Sequence, residues 1–137
     1  MGALPNLGVF NRRNLIRFIH KVTTGASGAI ASQDAPSDSG VTAVKTATKT
    51  GRYTLTLPSK FRKYDGGFVC VCGPDDAVYG AKSKGLPYIM RDNDIDGGAA
   101  DGTIELQFLN PSTDATNYID AELPDNTMFY VHIFVEQ

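Results

Sequence analysis

The sequence predicts an all-β protein: a compact β-sandwich or jelly-roll-like barrel carrying an extended N-terminal arm. Period-two alternation of large apolar side chains recurs in several short runs. Gly, Pro, Asp and Asn punctuate the chain at intervals of about 10–15 residues, and no long segment holds a helical period. At 137 residues, with 42% hydrophobic and 20% charged side chains, the chain is sized for one globular unit that needs neither disulfide nor metal to hold its core. The expected division is an arm over residues 1–14 and a single β domain over 15–137.

The arm, Met1–Asn14, contains Pro5 and two glycines and has no apolar period. Ile16, Phe18, His20 and Val22 then alternate and predict a strand. A short helix over Leu15–Lys21, capped by Asn14, is the alternative, but Ile, Phe, His and Val favour extended backbone. Ser32–Gly40 reads as a turn region, and Gly40–Thr48 as a weakly patterned strand. Arg52–Leu57 places Tyr53, Leu55 and Leu57 on one face and Thr54 and Thr56 on the other. Phe68–Cys72 is a continuous apolar run between Gly67 and Gly73-Pro74, which predicts a strand buried on both faces. Ala77–Ala81 and Leu86–Arg91 are shorter candidates, and Thr103–Leu109 alternates again through Ile104, Leu106 and Phe108. In Thr127–Val135 both faces are apolar, so the strand is expected to be central, or to have one face covered by a neighbouring subunit.

Candidate chemistry is sparse. Cys70 and Cys72 share one face of their strand with Cα atoms about 6.5 Å apart, near the limit for a disulfide, and are expected to be small buried hydrophobes. His20 and His132 stand singly, without a ligand pattern. Asp92, Asp94 and Asp96 followed by Gly97 match the opening of an EF-hand calcium loop, and Asp101 is a possible further ligand. The match fails where position 12 falls on Thr103 and where the flanks read as strands. A solvated Asp/Gly connection is therefore expected, with calcium the weaker candidate and no cofactor. No nucleophile elbow, S-x-x-K pattern or phosphate-binding glycine loop occurs, so no enzymatic activity is expected.

Charge divides along the chain. Residues 1–21 carry Arg12, Arg13, Arg17 and Lys21 and no acid, a net of +4, whereas the remainder carries a net of −6. A basic arm on an acidic body suits either nucleic acid or the acidic surface of a neighbour. Leu15, Ile16, Phe18 and Ile19 favour the protein partner, with Phe10, Asn11, Arg12, Arg13, Leu15 and Arg17 as the candidate contact residues. The segment Lys60-Phe61-Arg62-Lys63-Tyr64 interleaves basic and aromatic residues, but it follows Pro58 and precedes Asp65-Gly66-Gly67. It reads as a basic loop with its aromatics turned into the core. Gly2–Phe10 lacks the charged start and apolar run of a secretory signal, and no segment reaches the length of a membrane span. Cytoplasmic synthesis without membrane contact is expected.

The stretch Gly51-Arg52-Tyr53-Thr54-Leu55-Thr56-Leu57-Pro58, the run Phe68–Cys72 and the ending Asp120-Ala121-Glu122-Leu123-Pro124-Asp125 through Tyr130-Val131-His132-Ile133-Phe134-Val135 are spread over a span of about 85 residues. Their cadence resembles that of small virion proteins of tailed bacteriophages, including head decoration (cement) proteins and fibre-associated β-domains. The resemblance implies a β-domain displayed on the capsid surface, often as a homotrimer. Its N-terminal extension would grip the major capsid protein. It brings no active-site residues. A receptor- or glycan-binding module of a tail fibre or baseplate is the alternative; it would use the Asp92–Asp101 loop with exposed Tyr79, Tyr88 or Tyr118 nearby.

Overall fold

The computed structural model describes residues 15–34, 40–72, 88–96, 101–111 and 117–137. The described residues form nine strands: β1 (Leu15–Thr24), β2 (Ile30–Asp34), β3 (Thr42–Lys45), β4 (Arg52–Thr56), β5 (Lys63–Cys72), β6 (Tyr88–Asp94), β7 (Thr103–Pro111), β8 (Tyr118–Asp120) and β9 (Met128–Glu136). They form two antiparallel sheets, one in the order β2-β1-β9-β5 and the other β3-β4-β7-β6 with β8 also paired to β7. The only helical element among the described residues is a single 3₁₀ turn, Ala26–Gly28, and no described helix is long and apolar enough to cross a membrane.

The sheets pack face to face because alternation delivers one apolar row per strand to the space between them. The first sheet supplies Phe18, Val22, Phe129, Val131, Ile133 and Val135, and the second Ala43, Tyr53, Leu55, Ile104, Leu106 and Phe108. Phe129 stands between the sheets, with ring centroids 5.4 Å from Tyr53 and 5.2 Å from Phe108, in tilted and edge-on contacts that aromatic quadrupoles favour.

The ends of the sandwich are closed by connections. Phe61 follows Pro58 and packs edge-on to Phe18 at 5.5 Å, while its N–H donates to the Ile95 carbonyl. Phe61 is thus buried as expected, whereas Lys63 and Tyr64 already belong to β5. At the other end, Ala121 and Leu123 are buried. Phe108 donates its N–H to Gly51 and accepts from Ala121 through its carbonyl, so β8 takes up beside β7 where β4 stops.

The expected interior position of β9 holds: β1 and β5 flank it. Two expectations need correction. The turn region read from Ser32 begins inside β2, which pairs with β1 from Lys21↔Asp34 to Thr24↔Ile30. The run Phe68–Cys72 is not buried on both faces, because only one face of β5 is turned to the core. Val69 and Val71 pack against the core, while Phe68 and Cys70 are exposed. Ala77–Ala81 lies outside the described residues.

Candidate functional site

The outer face of the β2-β1-β9-β5 sheet is built by the strand positions that alternate away from the core. Register sets Phe68 and Ile19 on either side of His132, Cys70 and Lys21 on either side of Tyr130, and Arg17 opposite Phe134. Phe68 lies flat on His132, with centroids 4.2 Å apart and planes 11° from parallel, and Phe134 sits 6.2 Å from the Phe68 ring. Phe68 is nevertheless 45% exposed, and Leu15, at the start of the same face, 52%. A sheet face left to water is normally polar; this one presents an aromatic stripe.

His132 sits inside that stripe. Burial, and then the charge of Arg17, lower its pKa, and its Nδ1 is buried with no hydrogen-bond partner among the described residues. Of the residues predicted to contact a partner, Leu15 and Arg17 belong to β1 and project from this outer face. Phe10, Asn11, Arg12 and Arg13 lie outside the described residues.

The outer face of the second sheet carries a shallow depression of about 190 Å³, lined by Arg52, Ile89, Arg91, Glu105, Gln107, Leu109 and Asp120. The Glu105 carboxylate accepts from Arg91 at 2.7 Å and lies 3.6 Å from Arg52. Arg52 Nε donates to Gln107 Oε1 at 2.8 Å, and Gln107 Nε2 is anchored on the carbonyls of Thr50 and Phe108, each at 2.8 Å. The planar groups hold one another in a fixed arrangement. Tyr118, two residues before Asp120 on the same face of β8, is 63% exposed. Tyr88 is half-buried, and Tyr79 lies outside the described residues.

Among the described residues, Asp92, Asp94 and Asp96 belong to no group that could hold a metal ion. Asp92 Oδ1 accepts from the Ile95 N–H at 2.9 Å, which ties the carboxylate to its own turn. Asp94 pairs with Thr103 beyond a register shift in β6, and Asp96 is exposed. No group of three or more His, Cys, Asp or Glu side chains is placed to hold a metal among the described residues.

The cysteines are free thiols, and their expected burial is not found: Cys70 is exposed and Cys72 half-buried, both on the outer face of β5. His20 is the histidine that enters the interior. Its Nε2 lies 2.9 Å from Gln33 Oε1, and burial lowers its pKa against the opposing pull of Gln33 and Asp34.

Sequence reasoning did not find the depression, because its residues come from β4, β6, β7 and β8 and meet only through strand register. The aromatic stripe had one visible signal, the doubly apolar pattern of Thr127–Val135. Comparison with protein-family models, with curated proteins and with solved structures found no match to the chain.

Proposed function

We propose that the chain is a non-enzymatic virion structural protein, a capsid decoration or cement protein that binds the major capsid shell and stabilises it. The observation that carries this reading is the aromatic outer face around Phe68, His132 and Phe134 on a sheet whose other face already fills the core. Such a stripe gains free energy when a second protein covers it, at roughly 25 cal/mol per Å² of apolar surface removed from water. The cation of Arg17 beside the stripe, and the basic residues that precede β1, suit an acidic neighbour. Many such weak contacts, repeated over a shell and aided by self-association as a trimer, sum to firm attachment.

The test is binding of the purified chain to intact particles or empty shells, beside a chain lacking residues 1–14 and a Phe68→Asp variant. Saturable, high-copy binding that weakens in both altered chains supports the reading. Absence of binding by the unaltered chain overturns it.

A second reading, a receptor- or glycan-binding module of a tail fibre or baseplate, is favoured by the depression between Arg52, Arg91, Glu105, Gln107 and Asp120 with Tyr118 beside it. Fixed planar hydrogen-bonding groups next to an exposed aromatic ring suit a saccharide. Copy number per particle separates the two readings, since a shell protein is present far more often than a tail component.

A further inference from the structure

We propose that Cys70, Cys72 and Met128 form a site for a soft monovalent d10 cation, Cu(I) or Ag(I). The proposal is independent of the docking reading. It begins with β5: successive strand side chains alternate, so the two cysteines emerge on one face, which is the outer one. Register then sets Cys72 directly opposite Met128 on β9 and Cys70 opposite Tyr130. Directly paired residues have Cβ atoms about 4.5–5.5 Å apart, and a diagonal neighbour is about 7–8 Å away, within reach of a long side chain. Met128, unbranched and with three rotatable bonds, can bring its thioether to either thiol.

The two thiols lie on the same outer face of β5, two residues apart, with Met128 and Tyr130 as their cross-strand neighbours. Both cysteines are free. A direct S–S bond of about 2.05 Å is poorly accommodated by residues two apart on an extended strand. A metal ion relaxes that demand, since two metal–sulfur bonds of about 2.3 Å span sulfurs up to about 4.6 Å apart.

The donor set selects the metal. Zinc seeks four N, O or S ligands, and no group of three His, Cys, Asp or Glu exists among the described residues. Two thiolates with a thioether are the soft set that favours Cu(I) over Mg, Ca or Mn. Binding exchanges protons for metal: one cation and two thiols give a bis-thiolate complex and two released protons, leaving one negative charge on the site. Lys21, across Tyr130 from Cys70, is placed to offset that charge.

The experiment uses the reduced, metal-free full chain under anaerobic conditions, titrated with Cu(I) against a chromogenic Cu(I) chelator and, separately, with Ag(I). One cation per chain is expected, with a thiolate-to-metal charge-transfer band in the near ultraviolet. One equivalent of Ag(I) should protect both cysteines from iodoacetamide. Cys70→Ser and Cys72→Ser should each abolish chelator competition, and Met128→Leu should weaken Cu(I) by about tenfold or more while leaving the circular dichroism unchanged. Failure to compete with the chelator, alkylation at the unprotected rate, or a Met128→Leu variant that binds Cu(I) as the parent does would each overturn the proposal.

Discussion

The side-chain amide of Gln33 completes the exposed edge of β3 by exchanging two hydrogen bonds with the peptide of Ala43. Its Oε1 accepts from the Ala43 N–H at 2.7 Å, and its Nε2 donates to the Ala43 carbonyl at 3.2 Å. The amide imitates a ladder partner, and it joins β2 of one sheet to β3 of the other at the corner of the sandwich. The same Oε1 also faces His20 Nε2, so one side chain serves an edge strand and a buried ring.

Removing that amide should therefore be felt twice. Gln33→Ala leaves the Nε2–H of His20 without its acceptor and reopens the β3 edge. A loss of about 1–3 kcal/mol in urea unfolding is expected, with greater self-association by light scattering. A variant as stable as the parent would show that water replaces the amide at no cost.

His20 sets a pH dependence whose sign is fixed by its lowered pKa. The folded chain holds this proton more weakly than the unfolded chain, so between the two pKa values the unfolded state binds more protons. The stability contribution is complete above the ordinary value of 6.5 and is lost as pH falls from there through the folded-state pKa. His132 acts in the same direction. Denaturation at pH 7.5 and 5.0 should show lower stability at pH 5.0, and His20→Gln should flatten the difference. One proton can contribute no more than about 1.4 kcal/mol per pH unit. Stability that is level or higher at pH 5.0 would contradict this.

Phe68 shields His132 and contributes little to the core. Phe68→Ala should raise the His132 pKa toward its ordinary value, because the covering ring is gone while Arg17 remains. The cost to stability should not exceed the scale of one exposed stacking contact, about 0.5–1.5 kcal/mol. Titration of the two histidine rings by NMR separates the effect from His20, which does not touch Phe68. An unmoved His132 would assign the lowered pKa to the strand environment instead.

What the sequence discloses depends on whether side-chain size alternates. β1, β4, β7 and β9 were legible because Phe18–Val22, Tyr53–Leu57, Ile104–Phe108 and Phe129–Val135 each send large apolar groups to one face. β2 was not, since Ile30 is its one large apolar residue and hydrogen bonds to β1 and the Gln33 amide hold the rest. The face of Phe68–Cys72 was misread for a physical reason: an apolar run looks the same whether its second face meets a core or is left outward. The depression on the other sheet was illegible because Arg52, Arg91, Glu105 and Asp120 become neighbours only through pairing.

Gly51 is the position where a single methyl group should do the most damage. Its φ is +62°, in the region that side-chain-bearing residues rarely adopt, and a Cβ there would lie 1.9 Å from the Ala121 carbonyl oxygen. That oxygen belongs to backbone, in the connection that closes one end of the sandwich, so it cannot swing aside as a flexible side chain would. The Gly51 N–H also donates to Glu122 Oε2 at 3.0 Å, and Lys45 bonds the other oxygen of that carboxylate. Displacing residue 51 therefore pulls on β3, β4 and the 121–127 connection together. Gly51→Ala should cost about 3 kcal/mol or more, combining left-handed strain with the clash, and lower Tm by about 10 °C or more. Gly25→Ala is the control. Its φ of −116° is ordinary for alanine, and its nearest neighbour would be the Ala31 Cβ at 3.3 Å, so its Tm should stay within a few degrees of the parent. Equal melting of the two variants would mean that the 121–127 connection yields to the methyl group, and that the close approach of Gly51 to Ala121 is not a fixed point of the fold.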